Sequence, residues 1–120
     1  MDIHELQVAL RVFAAERDWD QFHSPKNLAM ALSVEVAELI EHFQWLSEAQ
    51  SHSLPPEVSR QAAEEIADIQ IYLARLADKL GVDIDAAVSA KLELNRLKYP
   101  ADKVRGKAAK YTEYEAAPKA

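Results

Sequence analysis

Four acidic side chains form two pairs with the same spacing along the chain. Glu35 and Glu38 make the first pair, and Glu65 and Asp68 make the second after the intervening residues 39–64. Residues three apart on a helix lie about one turn apart, so each pair points two carboxylates the same way. Carboxylates directed at one space repel each other unless a cation lies between them. Because Mg²⁺ prefers oxygen ligands and often keeps substrate phosphate among them, the pattern predicts a site for magnesium and phosphate.

The first acidic pair lies at the edge of an apolar stripe. Winding residues 28–46 at about 100° per residue gathers five large apolar side chains in one arc. These are Leu28, Leu32, Leu39, Phe43 and Leu46. Glu35 falls beside this arc and Glu38 lies somewhat further round, whereas Glu41 points toward solvent. An acid at the margin of a core loses hydration, and that cost is tolerable mainly when the acid is paired or bound to a metal.

The second acidic pair has the same position on its own helix. The apolar stripe there comprises Ala62, Ile66, Ile69, Leu73, Leu76 and Leu80. Glu65, Asp68 and Tyr72 line the flank of this stripe. We place Glu64, Arg75 and Asp78 on the far side, toward solvent. In the run Glu64-Glu65, the second acid is therefore the ligand candidate.

The composition is typical of one small helical domain. With 120 residues, the chain is long enough for one domain and too short for two ordinary ones. Only two glycines and a hydrophobic content of 49% favour an all-α fold. Since the sequence has no cysteine, disulfides and thiolate metal sites are excluded. The net charge of −6 argues against a nucleic acid polymer as partner, although not against a nucleotide that arrives with magnesium.

Local signals predict four helices and a tail. The helices cover about residues 3–17, 25–46, 57–80 and 84–99, and a polar linker covers 47–56. Asp2, Ser24 and Asp83 are the N-cap candidates, because their side chains can accept a hydrogen bond from the first helical turn. Gly81 is the residue type expected just past a helix end, and Pro100 cannot continue a helix.

The helix at 57–80 is apolar on more than its stripe. Ala67, Ile71 and Ala74 lie beside or opposite that stripe, and a chain of this size has difficulty covering such a helix alone. Burial against a second copy solves this problem, so we expect a homo-oligomer. No apolar run approaches about 18 residues and no signal peptide is apparent, so we expect a cytoplasmic protein without a membrane partner.

Three motifs occur in an order that resembles a known family. They are Glu35-x-x-Glu38, Glu65-x-x-Asp68 and the run from Asn95 to Pro100. This order resembles the all-α NTP pyrophosphohydrolases, the MazG-like superfamily. Further stretches are similar to its dCTP pyrophosphatase branch, namely residues 13–19, 21–28, 43–45, 65–73 and 110–113. The resemblance implies a four-helix MazG-like domain over residues 1–100, a basic and aromatic tail over 101–120, and assembly into a helical-bundle homo-oligomer.

The resemblance also implies an activity and a set of site residues. The activity is Mg²⁺-dependent hydrolysis of a nucleoside triphosphate to monophosphate and pyrophosphate, with Mn²⁺ as a substitute metal. The implied substrates are dCTP and 5-modified dCTP, and the implied assembly is a tetramer built as a dimer of dimers. Carried over residue by residue, the catalytic and metal-binding set is Glu35, Glu38, Glu65 and Asp68. The substrate-binding set is Trp19, His23, Trp45, Tyr72, Lys91 and Asn95, in which the rings resemble the base and sugar pocket and the last two resemble phosphate contacts.

Several of these residues also have purely structural interpretations. Trp45 could be ordinary core, whereas Trp19 in a short polar loop favours a ligand or a subunit interface. His23 precedes a helix cap and could hydrogen-bond its own loop instead of a substrate. His42 winds close to Glu35 and Glu38, and we place it at the core margin because Mg²⁺ prefers oxygen. Asn95 could simply be a polar residue near a helix end.

Three function classes compete for the acidic pairs. The first is the pyrophosphohydrolase, of dCTP or of another nucleotide. The second is a di-iron carboxylate bundle, which needs Glu-x-x-His pairs, yet none of His4, His23, His42 and His52 has a glutamate three residues before it. The third is a non-enzymatic helical oligomerisation module with solvated acids. It does not explain four acids at core margins, so the enzyme is the favoured hypothesis.

Overall fold

The computed structural model describes residues 1–108, and every regular element in this part of the chain is helical. The helices are α1 (Ile3–Glu16), α2 (Pro25–Glu41), α3 (Glu48–Ser51), α4 (Pro56–Leu80), α5 (Ile84–Lys98) and α6 (Ala101–Val104), with a 3₁₀ turn at Asp20–Phe22. The predicted all-α fold is confirmed. None of the helices within residues 1–108 combines the length and apolar character needed to cross a bilayer.

The helix ends follow the predicted caps. The carboxylate of Asp2 accepts a hydrogen bond from the backbone N–H of the third residue after it at 2.8 Å. The hydroxyl of Ser24 and the carboxylate of Asp83 do the same at 3.1 and 3.0 Å. These side chains satisfy N–H groups that have no partner inside the helix. Gly81 ends α4 with φ of 66°, a left-handed conformation that glycine adopts without a steric penalty.

The prediction that the second helix extends to Leu46 and is followed by a plain linker is wrong. α2 ends at Glu41, and turns follow in which two successive N–H groups, those of Phe43 and Gln44, donate to the carbonyl of Ile40 at 2.9 Å. A new short helix, α3, then begins at a capping box. The Ser47 hydroxyl accepts from the N–H of Gln50 at 3.2 Å, and the Gln50 side chain accepts from the N–H of Ser47 at 2.9 Å.

The chain divides into two compact units, Met1–Val82 and the residues from Asp83 onward. In the first unit, α4 packs along α2 and also contacts α1. The side-chain amide of Gln7 on α1 donates to the carbonyl of Ala74 on α4 at 3.0 Å. The buried apolar side chains are Ala14, Leu28, Ala62, Ala74 and Ala77. The second unit contains α5 and α6, and residues 109–120 of the predicted tail lie outside the described residues.

The apolar stripe of α4 is only partly covered. Ala62 is buried, but Ile66, Leu73 and Leu80 are 57%, 41% and 56% exposed. Among the described residues, no large side chain is fully buried. Much apolar surface therefore remains in contact with solvent in a single copy of the chain.

Candidate functional site

The four predicted acids come from the two helices that pack along each other. Glu35 and Glu38 lie on α2, and Glu65 and Asp68 lie on α4. Burial raises the pKa of Glu35, and hydrogen bonding with the Glu38 side chain and the charges of Glu38, Asp68 and Glu65 raise it further. The charges of the other three acids therefore act on Glu35, two of them across the α2–α4 contact.

One carboxylate oxygen in this group is buried without a partner. Within residues 1–108, Oε2 of Glu35 is the buried side-chain oxygen or nitrogen for which no hydrogen-bond partner is present. Leaving such an atom unsatisfied costs about 1–3 kcal/mol, and more when it is charged. Native proteins keep such atoms mainly where a ligand, an ion or a water completes them. The donor set here is all oxygen, which fits a hard divalent cation.

The acids are nevertheless not gathered into a preformed metal cage. In the described part of the chain, no three carboxylate or imidazole side chains are grouped closely enough to hold a metal ion. The side chain of Glu38 is exposed, whereas Glu35, Glu65 and Asp68 are half-buried. The residues fit a cation by their chemistry, and their side chains would have to move together to bind one.

His42 lies beside the acids, as its position along α2 indicates. Its Nε2 is 2.7 Å from Oε2 of Glu65, and both side chains are largely shielded from solvent. This contact joins the turn after α2 to α4. The imidazole therefore orients Glu65, which matches its expected place at the core margin next to the acids.

A cavity of about 360 Å³ opens next to Asp68. Three of the predicted substrate-binding residues, Trp19, His23 and Tyr72, line it together with Asp68. The rest of its wall is Leu10, Phe13, Leu28, Ile71 and Arg75. This volume lies within the usual range for small-molecule sites, which are mostly apolar with a few polar groups. Asp68 belongs both to the acidic group and to the cavity wall, so the two features adjoin at this residue.

The loop after α1 places Trp19 on the cavity wall. Asp18 adopts φ of 53°, an uncommon conformation for a residue other than glycine, and its side chain accepts from the amide of Gln21 at 3.1 Å. The backbone N–H of Trp19 donates to the carbonyl of Ala14 at 2.9 Å. Its ring meets Phe13 edge-on, with 5.8 Å between centroids and 69° between planes.

Arg75 is a site residue that the sequence interpretation missed. It was predicted on the solvent side of α4, but it is only 5% exposed and lines the cavity. The same prediction is wrong for Asp78, whose side chain is 14% exposed and accepts from Arg11 of α1. It is confirmed for Glu64, whose side chain is 61% exposed. The face that carries Arg75 and Asp78 packs toward α1 and the 3₁₀ turn, so it is not exposed to solvent.

A signal for Arg75 was present in its spacing. Seven residues at about 100° each return to within about 20° of the starting direction, so Arg75 shares a face with Asp68. Tyr72, between them in sequence, lies about 40° from Asp68 on the side opposite to Arg75. The same geometry that identified the acidic pairs therefore identifies Asp68, Tyr72 and Arg75 as one row along α4.

The other predicted substrate contacts lie elsewhere in the chain. Trp45 lies in the turns after α2, is 86% exposed and does not line the cavity. The alternative that it is ordinary core is therefore wrong for a single copy of the chain. Lys91 and Asn95 lie four residues apart on α5, so they share one face of that helix. They belong to the second unit, and their role in substrate binding stays a prediction.

The fold and the order of motifs agree with the sequence profile of one family. The profile of the MazG-like family matches residues 30–114, which is more than half of the chain. The chain belongs to the MazG-like family. The match includes both acidic pairs and the Asn95–Pro100 run, so the family resemblance inferred from these motifs is confirmed.

Individual MazG-like relatives support the same assignment. A pyrophosphatase from Archaeoglobus fulgidus DSM 4304, known from its crystal structure, is 43% identical, and the match covers 81% of this chain and 91% of that one with a TM-score of 0.77. The mouse protein dCTP pyrophosphatase 1 is 48% identical over 103 residues, and its human counterpart is 46% identical over the same length. Both matches cover 84% of this chain but 61% of the relative, so the chain spans about three fifths of the length of these curated proteins.

Proposed function

We propose that this MazG-like protein is a Mg²⁺-dependent nucleoside triphosphate pyrophosphohydrolase that converts a nucleotide to its monophosphate and pyrophosphate. The observation that carries the proposal is the buried, unpartnered Oε2 of Glu35, which lies among four carboxylates that continue through Asp68 into a 360 Å³ cavity. The names of the archaeal pyrophosphatase and of the mammalian dCTP pyrophosphatases support this reaction. We propose dCTP and 5-modified dCTP as the preferred substrates.

In this proposal the acids hold the metal. Glu35, Glu38, Glu65 and Asp68 would supply the oxygen ligands for Mg²⁺, and Mn²⁺ would substitute for it. When bound, the metal supplies positive charge against the phosphate oxygens and lowers the pKa of an adjacent water. His42 holds Glu65 in place through their 2.7 Å contact. One of the glutamates would orient the attacking water or accept its proton.

The cavity would hold the base and the sugar. Trp19 offers a flat face for stacking, and stacking tolerates every base. Selectivity must therefore come from hydrogen bonds to the base edge, for which His23 is the candidate on the cavity wall. Tyr72 is the candidate wall against a ribose 2′-hydroxyl. The proposed set also includes Trp45 as a further stacking ring. Lys91 and Asn95 would contact phosphate.

Assembly into a homo-oligomer belongs to the same proposal. Ile66, Leu73 and Leu80 on α4 and the ring of Trp45 are exposed, and packing against a second copy would cover them. We propose a tetramer built as a dimer of dimers, located in the cytoplasm. Light scattering on active enzyme tests the assembly, and a stable, active monomer of 13.5 kDa would refute it.

The reaction is tested with a panel of ribo- and deoxynucleoside triphosphates in the presence of Mg²⁺. Chromatography of the products should show monophosphate and pyrophosphate in equal amounts, with dCTP turned over best. Release of orthophosphate and a diphosphate, or full activity in excess EDTA, would overturn the reaction class. Faster turnover of dUTP or dATP than of dCTP would leave the class intact and replace the substrate. No turnover of any nucleotide would favour the oligomerisation module.

A further inference from the structure

Arg75 is the buried charged side chain of the described residues, and each of its three nitrogens lies near a polar partner. Its Nη2 donates to Oδ1 of Asp20 at 2.7 Å, and its Nε donates to Nδ1 of His23 at 3.2 Å. Its Nη1 is 3.5 Å from Oδ2 of Asp78 on the same helix. Burying a guanidinium is costly unless its charge is paired and it donates hydrogen bonds, and here two carboxylates pair the charge while Nε and Nη2 both donate.

Two of these partners lie at the two ends of one short turn. Asp20 begins the 3₁₀ turn and His23 follows it directly, while Trp19 precedes it. Lys79 also contacts Asp20, at 2.5 Å, but Arg75 contacts both ends of the turn. Arg75 therefore ties the segment 19–23 to α4, on the wall of the cavity that Asp68 and Tyr72 also line.

The contact with Arg75 also decides which nitrogen of His23 carries the proton. A guanidinium has only donors, so Nδ1 of His23 must act as the acceptor and cannot itself bear hydrogen. The neutral ring then carries its proton on Nε2. Burial lowers the pKa of His23, and the charges of Arg75 and Lys79 lower it further, while Asp20 opposes them. The neutral form with hydrogen on Nε2 is thus the form that this environment favours.

We propose that Arg75 is a positioning residue of the nucleotide cavity, which holds the segment 19–23 against α4 and sets His23 as an N–H donor through Nε2. The inference rests on the proposed function, because the acceptor that we assign to this Nε2–H is an atom of the bound base. Cytosine offers two neighbouring acceptors of this kind, N3 and O2. Arg75 acts through His23 and Trp19, and it need not touch the nucleotide.

The first test observes the histidine ring without any nucleotide. Nitrogen NMR of the ¹⁵N-histidine-labelled full chain distinguishes the two neutral tautomers, and the loss of one signal in His23→Gln assigns the ring. We expect hydrogen on Nε2 in the wild type and a mixture of tautomers in Arg75→Met. Arg60→Met is the matched control, because Arg60 lies on the same helix with an exposed side chain and pairs with Glu57 and Glu64, away from the cavity wall. It should leave the His23 signal unchanged.

A wild-type ring with hydrogen on Nδ1 would overturn the inference directly, and this outcome needs no variant to fold. An unchanged tautomer in folded Arg75→Met would overturn it as well. Either result leaves the proposed hydrolysis untouched. Conversely, absence of nucleotide hydrolysis with the expected tautomers would overturn the proposed function and the assigned base acceptor, while the Arg75–His23 linkage would stand.

The second test separates substrate binding from turnover. We expect Arg75→Met to raise KM for dCTP by about three- to ten-fold, because this is the change in affinity that the loss of one hydrogen bond produces. The change in kcat should be far smaller. Arg75→Lys should recover thermal stability through the pair with Asp20 but not KM, because one ammonium cannot reproduce both contacts. A purely structural role would predict recovery of both by lysine, and that result would refute the inference.

A pair of His23 variants gives an independent check. The side-chain amide of Gln reaches roughly to the position of Nε2 and can donate there, whereas the shorter amide of Asn lies near Nδ1 and cannot. His23→Gln should therefore keep KM for dCTP closer to the wild-type value than His23→Asn does. The reverse order would show that the useful atom of His23 is Nδ1, which contradicts the role assigned to Arg75.

Discussion

Replacing Glu35 with glutamine should make the metal-free protein more stable while it abolishes activity. Glu35 is the acid whose Oε2 is buried without a partner and whose pKa is raised, first by burial and then by Glu38, Asp68 and Glu65. In the folded protein without metal, its charge is therefore opposed by three neighbours. Glutamine has nearly the same shape and removes that charge.

The size of the effect follows from the burial of one atom. An unsatisfied buried polar group costs about 1–3 kcal/mol, and a charged one costs more. Glutamine still leaves an amide in this place, so we expect only the extra cost of the charge to be recovered, about 1–2 kcal/mol. For a chain of 120 residues, an unfolding entropy of about 2.1 cal/mol/K per residue converts each kcal/mol into about 4 °C. Tm of the metal-free Glu35→Gln variant should therefore rise by about 4–8 °C.

The assay is thermal unfolding followed by circular dichroism, in EDTA and again with a series of Mg²⁺ concentrations. Wild-type protein should gain stability with Mg²⁺, by about 2.7 kcal/mol at a hundred times Kd, because the metal binds only the folded state. The stability of Glu35→Gln should rise little with Mg²⁺. Glu64→Gln is the control, since Glu64 is an exposed acid that is paired with Arg60. A lower metal-free Tm for Glu35→Gln than for wild type, with an intact helical spectrum, would refute the argument.

Three further predictions concern side chains of α4. Glu65→Gln should abolish turnover, whereas Glu64→Gln should be nearly silent in a steady-state assay, and equal damage from both would show that the assigned face of α4 is wrong. Tyr72→Ala should rescue hydrolysis of CTP relative to dCTP, and an unchanged ratio of their kcat/KM values would exclude Tyr72 as the wall against the 2′-hydroxyl. The hydrogen bond from Arg11, followed by the positive charges around it, holds the pKa of Asp78 below its usual value. This pair therefore stabilises the fold at pH values above the ordinary carboxyl pKa, and the contribution is lost as pH falls through the lowered pKa. Tm of Arg11→Met should therefore lie below that of wild type at about pH 7 and converge with it once the pH falls below the lowered pKa, and a constant difference would refute the linkage.

The local features of the fold could be predicted from the sequence because they depend on neighbouring residues. Asp2, Ser24 and Asp83 cap their helices, and Gly81 ends α4, since each of these contacts spans only a few residues. The end of α2 was mispredicted for a local reason as well. The apolar spacing continues to Leu46, but the helix ends at Glu41 and α3 begins at the capping box of Ser47.

The acidic pairs could be placed on helix faces for the same reason, although the cavity could not. Three residues make about one turn in every α-helix, so the spacing alone aligns Glu35 with Glu38 and Glu65 with Asp68. The wall of the cavity joins Trp19 to Tyr72, which are far apart in sequence. Their proximity depends on how α1 and the 3₁₀ turn pack on α4, and periodicity carries no information about that packing.

The sequence by itself determined the helix caps, the helix faces on which the acids lie and the family, because each is encoded in short-range spacing or in the order of motifs. The tertiary structure decided which charges are buried. Arg75 looks like a surface residue until Asp20 and His23, more than fifty residues earlier, are brought against it. A buried cation is stable only when distant parts of the chain supply its counter-charge and its acceptors, so its role becomes visible only once the helices are packed.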